Sequence, residues 1–357
     1  MWWFLSCAPP VGPTDTAIVD TDADTDLVDT DVVDTDDPDV AAPFADLTPG
    51  TWSFVPVDEM ICANGSATGI GVNPGTDPRA LVVFVAGGGA CWDALTCFGL
   101  KSAVNIENAW GADQLAAETT GWGRADLADW PAIGDATWVY VPYCTGDLHA
   151  GTTTRAYDTT QPTRLVHHAG DADWAAWIAH TRREMPKLDH LWTIGFSAGG
   201  YGAQLQADKL AAAWPTAEGA ILADGAPMVT PYGARHAEIR NAWGLHTPDG
   251  CAACATGFPA YVTDNPAQAS GWRWGLVTSE QDAVITLYFG YPLGGLGGAV
   301  DGLVASAYRD DAAASAFVAP GTDHVLLPAG TATSRGGVAL SAWSAAFLEG
   351  PAPADAP

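Results

Sequence analysis

The chain is poor in cations: 14 Lys and Arg stand against 42 Asp and Glu among 357 residues, for a formal charge of −28. Without clustered Lys and Arg nothing grips a phosphate backbone, so nucleic-acid binding is excluded, whereas a neutral or basic substrate meets no repulsion. No apolar run reaches the roughly 18 residues of a membrane-spanning helix. No motif recurs at the period of about 20–50 residues that marks a solenoid. Cys251-Ala-Ala-Cys254 has no second C-x-x-C to complete four soft ligands, which leaves zinc the weaker reading of that pair.

What is present is unevenly spread. Twelve of the 42 acids are Asp residues within positions 1–50, where Lys, Arg and Glu are absent; the rest of the chain keeps 30 acids against 14 bases. The Asp-Thr and Asp-Val pairs between Thr14 and Val40 cannot bury enough apolar surface to offset the entropy of ordering. Residues 8–47 are therefore expected to form a disordered, self-repelling linker. Asp20, Asp22 and Asp24 alternate as in a calcium loop but lack its central Gly and closing Glu. Ahead of the linker, residues 1–7 read as a signal-peptide remnant. Leu5-Ser6-Cys7 resembles a bacterial lipobox with Cys7 as the lipidated residue, although the charged and long apolar regions of a signal are missing.

Seven cysteines suit an oxidising compartment. With Cys7 set aside, Cys91 and Cys97 are close in sequence, as are Cys251 and Cys254, which leaves Cys62 for Cys144. The expected location is extracytoplasmic: secreted, or held at the cell surface or in the periplasm, with membrane contact only through an N-terminal lipid anchor.

From residue 48 to residue 349 the pattern is that of a folded domain, with a frayed Pro/Ala-rich tail at 350–357. Short apolar runs at Ala80–Ala86, Thr137–Tyr143, Leu191–Phe196, Gly219–Ala223, Trp272–Thr278 and Ser315–Ala319 read as buried strands. Helical spacing covers Asp171–Met185, Ala198–Trp214 and Ser334–Leu348. Apolar strands alternating with helices predict an α/β fold: a mostly parallel central sheet with helices on both faces, and function at the carboxyl ends of the strands.

One such end reads Gly195-Phe196-Ser197-Ala198-Gly199, a G-x-S-x-G between strand and helix. The turn is so tight that side chains two positions either side of the serine would collide, and it lifts the hydroxyl above the sheet. Gly87-Gly88-Gly89, after the first strong strand, lets backbone N–H groups approach a developing oxyanion; Gly88, Gly89 and Ala198 are the candidate donors. No G-K-[ST] follows, which argues against a phosphate loop. The order Ser, acid, His selects Asp282 after the fifth strand and His324 after the sixth, with Asp224 as the rival acid. His236 and His246 lack that placement. His167-His168 reads as a solvated or helix-capping pair. Asp147 and His149, after the second strand, are candidates to line the pocket, and Trp92 is its candidate wall; most of the sixteen tryptophans are expected in the core.

Together Gly87-Gly88-Gly89-Ala90-Cys91-Trp92 with Cys97, Val141-Pro142-Tyr143-Cys144-Thr145-Gly146-Asp147 and Gly195-Phe196-Ser197-Ala198-Gly199-Gly200 resemble the pectin acetylesterase / Notum family of carboxylesterases. The similarity spans roughly Thr51 to His324. It implies an α/β-hydrolase fold, cleavage of O-acyl esters, no cofactor and no metal, and it supports the pairs Cys62–Cys144 and Cys91–Cys97. Phe196 stands where plant members often carry Cys, Ala90 where relatives tend to place an aromatic, and Thr230 to Pro266 is short and loop-rich.

The resulting expectation is a monomeric serine esterase acting through an acyl-enzyme on O-acyl, foremost O-acetyl, esters of a small molecule or polysaccharide. The competing readings are an inactive surface-tethered binding protein with the same fold and a lipase-like esterase for longer acyl chains. A protease is weaker, since no peptide subsite is marked.

Overall fold

The computed structural model describes residues 44–120, 133–158, 163–265, 267, 271–309 and 311–356. Cys7, the signal remnant and the linker up to residue 43 lie outside the described residues.

Ten strands are described: β1 (Ser53–Ile61), β2 (Ala67–Asn73), β3 (Asp77–Val85), β4 (Ala136–Val141), β5 (Thr153–Tyr157), β6 (Arg164–His168), β7 (His190–Phe196), β8 (Glu218–Asp224), β9 (Arg273–Ser279) and β10 (Ala314–Ala319). Eight form one sheet in the order β1-β2-β4-β3-β7-β8-β9-β10, and β5 pairs with β6 apart from it. From β4 to β10 every pairing in the large sheet is parallel; β1 and β2 run antiparallel at one side. All six residues of β4 and of β10 are buried, and so are the last six of β3, β7, β8 and β9. Because alternate residues point to opposite faces, unbroken burial means that both faces are covered. A Val or Leu sealed there contributes about 1.5–3 kcal/mol.

The covering helices are α1 (Ala112–Thr120), α2 (Gly170–Glu184), α3 (Ala198–Leu205), α4 (Ala207–Ala213), α5 (Arg235–Trp243), α6 (Ala283–Tyr288), α7 (Leu296–Ala307) and α8 (Leu340–Glu349). Trp110, Trp138, Trp174, Trp177, Trp214, Trp243, Trp272 and Trp274 are sealed in the core.

Four departures from the sequence reading have physical causes. The single helix expected over Ala198–Trp214 breaks at Gln206 (φ −110°, ψ 13°) into α3 and α4. The closing helix starts at Leu340, not Ser334, because Gly337 turns the chain at φ +85°. The linker ends earlier than residue 47: Phe44 is buried, and its N–H donates to Glu184 Oε2 at 3.1 Å. The tail is not frayed. Val318 N–H donates to Ala356 O (3.0 Å), Ala356 N–H to Ala316 O (2.8 Å) and Ala316 N–H to Asp355 Oδ1 (2.9 Å), and Ala356 is buried.

Three disulfides, Cys62–Cys144, Cys91–Cys97 and Cys251–Cys254, join the expected partners. They suit an extracellular or secreted protein, and the last removes Cys251 and Cys254 as metal ligands.

Candidate active site

In-register parallel pairing sets the carboxyl ends of β3, β7, β8, β9 and β10 side by side; Val85 pairs with Gly195, Phe196 with Asp224, and Ser279 with Ala319. Each sequence motif after a strand is thereby delivered to one border of the sheet.

Ser197 sits between β7 and α3 at φ +53°, ψ −122°, a strained conformation for a residue with a side chain. The flanking glycines make it attainable. A Cβ on Gly195 would stand 2.6 Å from Gly200 N and closer still to the Gly199 carbonyl, while one on Gly199 would overlap the Val85 carbonyl. The Ser197 N–H donates to Asp224 O at 2.8 Å. Ala198 is the first residue of α3, where no carbonyl one turn back accepts its N–H.

Facing this elbow is the loop after β3. Gly89 has φ +80°, and a Cβ on it would lie 2.6 Å from Tyr288 Oη. The loop is pinned on its far side: Val104 N–H donates to Gly88 O (2.9 Å) and Ala90 N–H to Ser102 O (3.1 Å). Among the described residues the Gly88 and Gly89 amides donate to nothing. Three N–H groups without acceptors beside one hydroxyl suit a developing negative charge.

Asp282 is fully buried and caps α6, with Oδ1 accepting the N–H groups of Val284 (2.9 Å) and Ile285 (3.0 Å). Its Oδ2 is 2.7 Å from His324 Nδ1. A carboxylate there fixes the tautomer with the proton on Nδ1 and leaves Nε2 as the basic nitrogen. Nε2 is buried with no hydrogen-bond partner among the described residues. The ring lies over Gly225, its Cε1 3.0 Å from where a Cβ would stand, one residue beyond the strand partner of Phe196. The structure thus joins Asp282 to His324 directly and sets Ser197 on the adjoining strand ends; no hydrogen bond links His324 to Ser197.

The rival acid Asp224 does not touch the imidazole by a hydrogen bond. Its carboxylate accepts the N–H groups of Leu326 and Leu327, beyond His324. Burial pushes this carboxyl up to about 7, against the pull of those N–H groups and of nearby His324.

Ser197 opens on a cavity walled by Trp92, Leu148, Tyr201, Ile239, Trp243, Ile285, Tyr288 and Phe289, among others. Its wall is almost wholly apolar. The segment expected to be loop-rich carries α5, which is tied down twice: Trp243 Nε1 donates to Cys91 O at 2.7 Å, and the Arg235 guanidinium lies 4.3 Å over Trp92 while Nη1 donates to Tyr288 O at 3.2 Å.

Trp92 is in the wall as expected, but Asp147 and His149 are not. Asp147 is fully buried and spends both oxygens on Thr145 Oγ1 and the N–H groups of His149, Gly151 and Gly170. His149 turns away to Ala86 O (2.8 Å), so the pair organises the loop behind the glycines and Leu148 meets the cavity instead. His168 is neither solvated nor a cap. It is buried in β6 between Thr145 O and Tyr157 Oη, and burial lowers its pKa to about 4, keeping the ring neutral. Sequence reasoning missed Tyr201, Trp243, Tyr288 and Phe289. Only Tyr201 had a legible signal, four residues after Ser197 on the same helical face. Among the described residues no three His, Cys, Asp or Glu side chains cluster to hold a metal.

Residues 53–226 match the pectinacetylesterase family. Among solved structures, the Wnt deacylase Notum from Drosophila superposes with a TM-score of 0.59 at 16% identity, covering 79% of this chain and 88% of that one. Nothing among curated proteins matches. The fold is that of the α/β-hydrolases.

Proposed function

Starting from a chain that is a pectin acetylesterase/Notum-like carboxylic ester hydrolase, we propose that it cleaves O-acyl esters through Ser197, His324 and Asp282, by way of an acyl-enzyme. The observation that carries this reading is the strained Ser197 turn opening on an apolar cavity, with buried Asp282 bonded to His324 at the same sheet border. His324 Nε2 takes the Ser197 proton as the hydroxyl oxygen attacks the ester carbonyl. The N–H groups of Gly88, Gly89 and Ala198 hold the oxyanion, and Asp282 stabilises the imidazolium. The imidazolium then protonates the departing alcohol, and water activated by the same nitrogen frees the acid.

Acetyl esters, on a small molecule or on polysaccharide, are the first substrates to test. The aromatic and aliphatic walls favour a second reading, an acyl group longer than acetyl. A fluorophosphonate probe should label the wild type and not Ser197→Ala; an unlabelled wild type would instead point to a binding protein. Across p-nitrophenyl esters from acetate to decanoate, a sharp preference for acetate supports a deacetylase, and a maximum at longer chains supports the second reading. Leu5-Ser6-Cys7 and the Asp-rich stretch after it support an exported, lipid-tethered enzyme; loss of palmitate incorporation in Cys7→Ser is the expected result, and no incorporation in the wild type would leave a freely secreted one.

A further inference from the structure

Asp224 closes β8, is fully buried and takes no part in the proton path above. Its backbone and its side chain hold two different things. The Asp224 carbonyl accepts the Ser197 N–H at 2.8 Å. The carboxylate accepts the Leu326 N–H on both oxygens (3.0 and 2.8 Å) and the Leu327 N–H on Oδ2 (2.7 Å). Between His324 and these two residues stands Val325 at φ +59°, the left-handed region that a β-branched side chain avoids. On its other flank the His324 loop is bonded to the Asp282 turn, Gln281 N–H to Gly321 O and Ala283 N–H to Thr322 O, both at 3.0 Å. The loop is therefore gripped at both ends, with an unfavourable backbone conformation trapped next to the imidazole.

We propose that Asp224 is a positioning residue that couples nucleophile to base: its carbonyl fixes the Ser197 amide, its carboxylate fixes the His324 loop, and one rigid residue so sets the distance between Ser197 Oγ and His324 Nε2. The inference rests on the Ser197–His324 reading. A residue that only filled space at this point would not need a carboxylate. Burial outweighs the pull of the N–H groups on the Asp224 charge, yet both of its oxygens are still spent on the backbone that presents the base. A change of a few tenths of an ångström in that backbone moves a proton acceptor out of line, and loss of alignment falls on the chemical step, not on substrate binding.

Asp224→Asn nearly preserves shape but turns one acceptor into a donor facing N–H groups. The expected result with p-nitrophenyl acetate is a kcat lowered by tenfold or more, KM within about twofold of wild type, and fluorophosphonate labelling slowed by the same factor as kcat. If Asp224→Asn does not fold, the comparison moves to Asp224→Asn in a Val325→Gly background against Val325→Gly alone. Glycine adopts the left-handed conformation freely, so the fold tolerates the loss of the carboxylate while the His324 loop still loses its anchor to β8. A folded variant whose kcat falls by less than tenfold, or whose loss lies in KM, overturns the proposal. Ser197→Ala separates the two levels. If it is inactive while Asp224→Asn is unimpaired, only the positioning role fails; if it keeps full activity, the Ser197 reading fails and takes the positioning role with it.

Discussion

The sheet border and the cavity wall meet at Ser197 but are built differently. The border is set by backbone. Parallel register brings the strand ends level, and Ser197, the glycines after β3, Asp282 and His324 follow from where strands stop. The wall is set by side chains from five separate stretches, around Trp92, Leu148, Tyr201, α5 and α6, held by the Arg235 stack and by the Trp243 bond to Cys91. The border should therefore govern whether an ester is cleaved, and the wall which ester and how stably the site is enclosed.

Substitutions can break or sharpen that division. The largest effect is expected at the border: His324→Ala should lower kcat by about 10⁴-fold with KM little changed, and Asp282→Asn by about 10³–10⁴-fold, in assays with p-nitrophenyl acetate. A wall variant that cost as much on acetate would erase the distinction. Trp243→Ala should act on stability, by about 3–5 kcal/mol, since it empties a sealed site and strips Cys91 O of its donor; the urea midpoint reads this. Trp92→Ala should lower kcat/KM for p-nitrophenyl hexanoate about tenfold and leave acetate within about twofold, as expected for losing ~1.5 kcal/mol of apolar contact with the longer chain. Arg235→Met keeps the stem but loses the stacked cation, and should raise KM for the same ester by about three- to fivefold.

The smallest effect lies away from both regions. His246, between Asp171 (2.9 Å) and Asp208 (3.3 Å), would be lowered by burial alone, but its bonds to the two carboxylates raise its pKa overall. A raised histidine stabilises fully below its unfolded value near 6.5 and loses that contribution as pH rises through its folded value. The wild-type Tm should thus fall by about 2 °C more than that of His246→Gln on going from pH 6 to pH 9. Parallel Tm curves would show that the cluster adds no stability across this pH range.

The difference between border and wall also decides what could be read in the chain. The elbow is legible because its requirement is local: strand, tight turn and helix within about ten residues. Asp282 and His324 are legible through chain order and through the apolar runs they follow. The antiparallel side of the sheet is not. Pro56 in β1 and Gly69 and Gly71 in β2 carry the marks of turns, yet β1 lies at an edge of the sheet where proline is tolerated, and Gly69 lets β1 pass close by. Asp147 and His149 mislead for a related reason. A polar residue after a strand can face the cavity or bend back to satisfy the loop, and sequence does not say which. Tyr288 and Phe289 reach the cavity only because α6 folds back over Gly89, a long-range fact with no local trace.

The last residues of the chain lie along β10, where Ala356 bridges to Phe317 and occupies the Val318 N–H and the Ala316 N–H finds Asp355. β10 ends the strand order, so its outer rim would otherwise be a bare template on which another molecule's strand could zip. The stretch read as a loose end occupies that rim, so an incoming strand would first have to displace it.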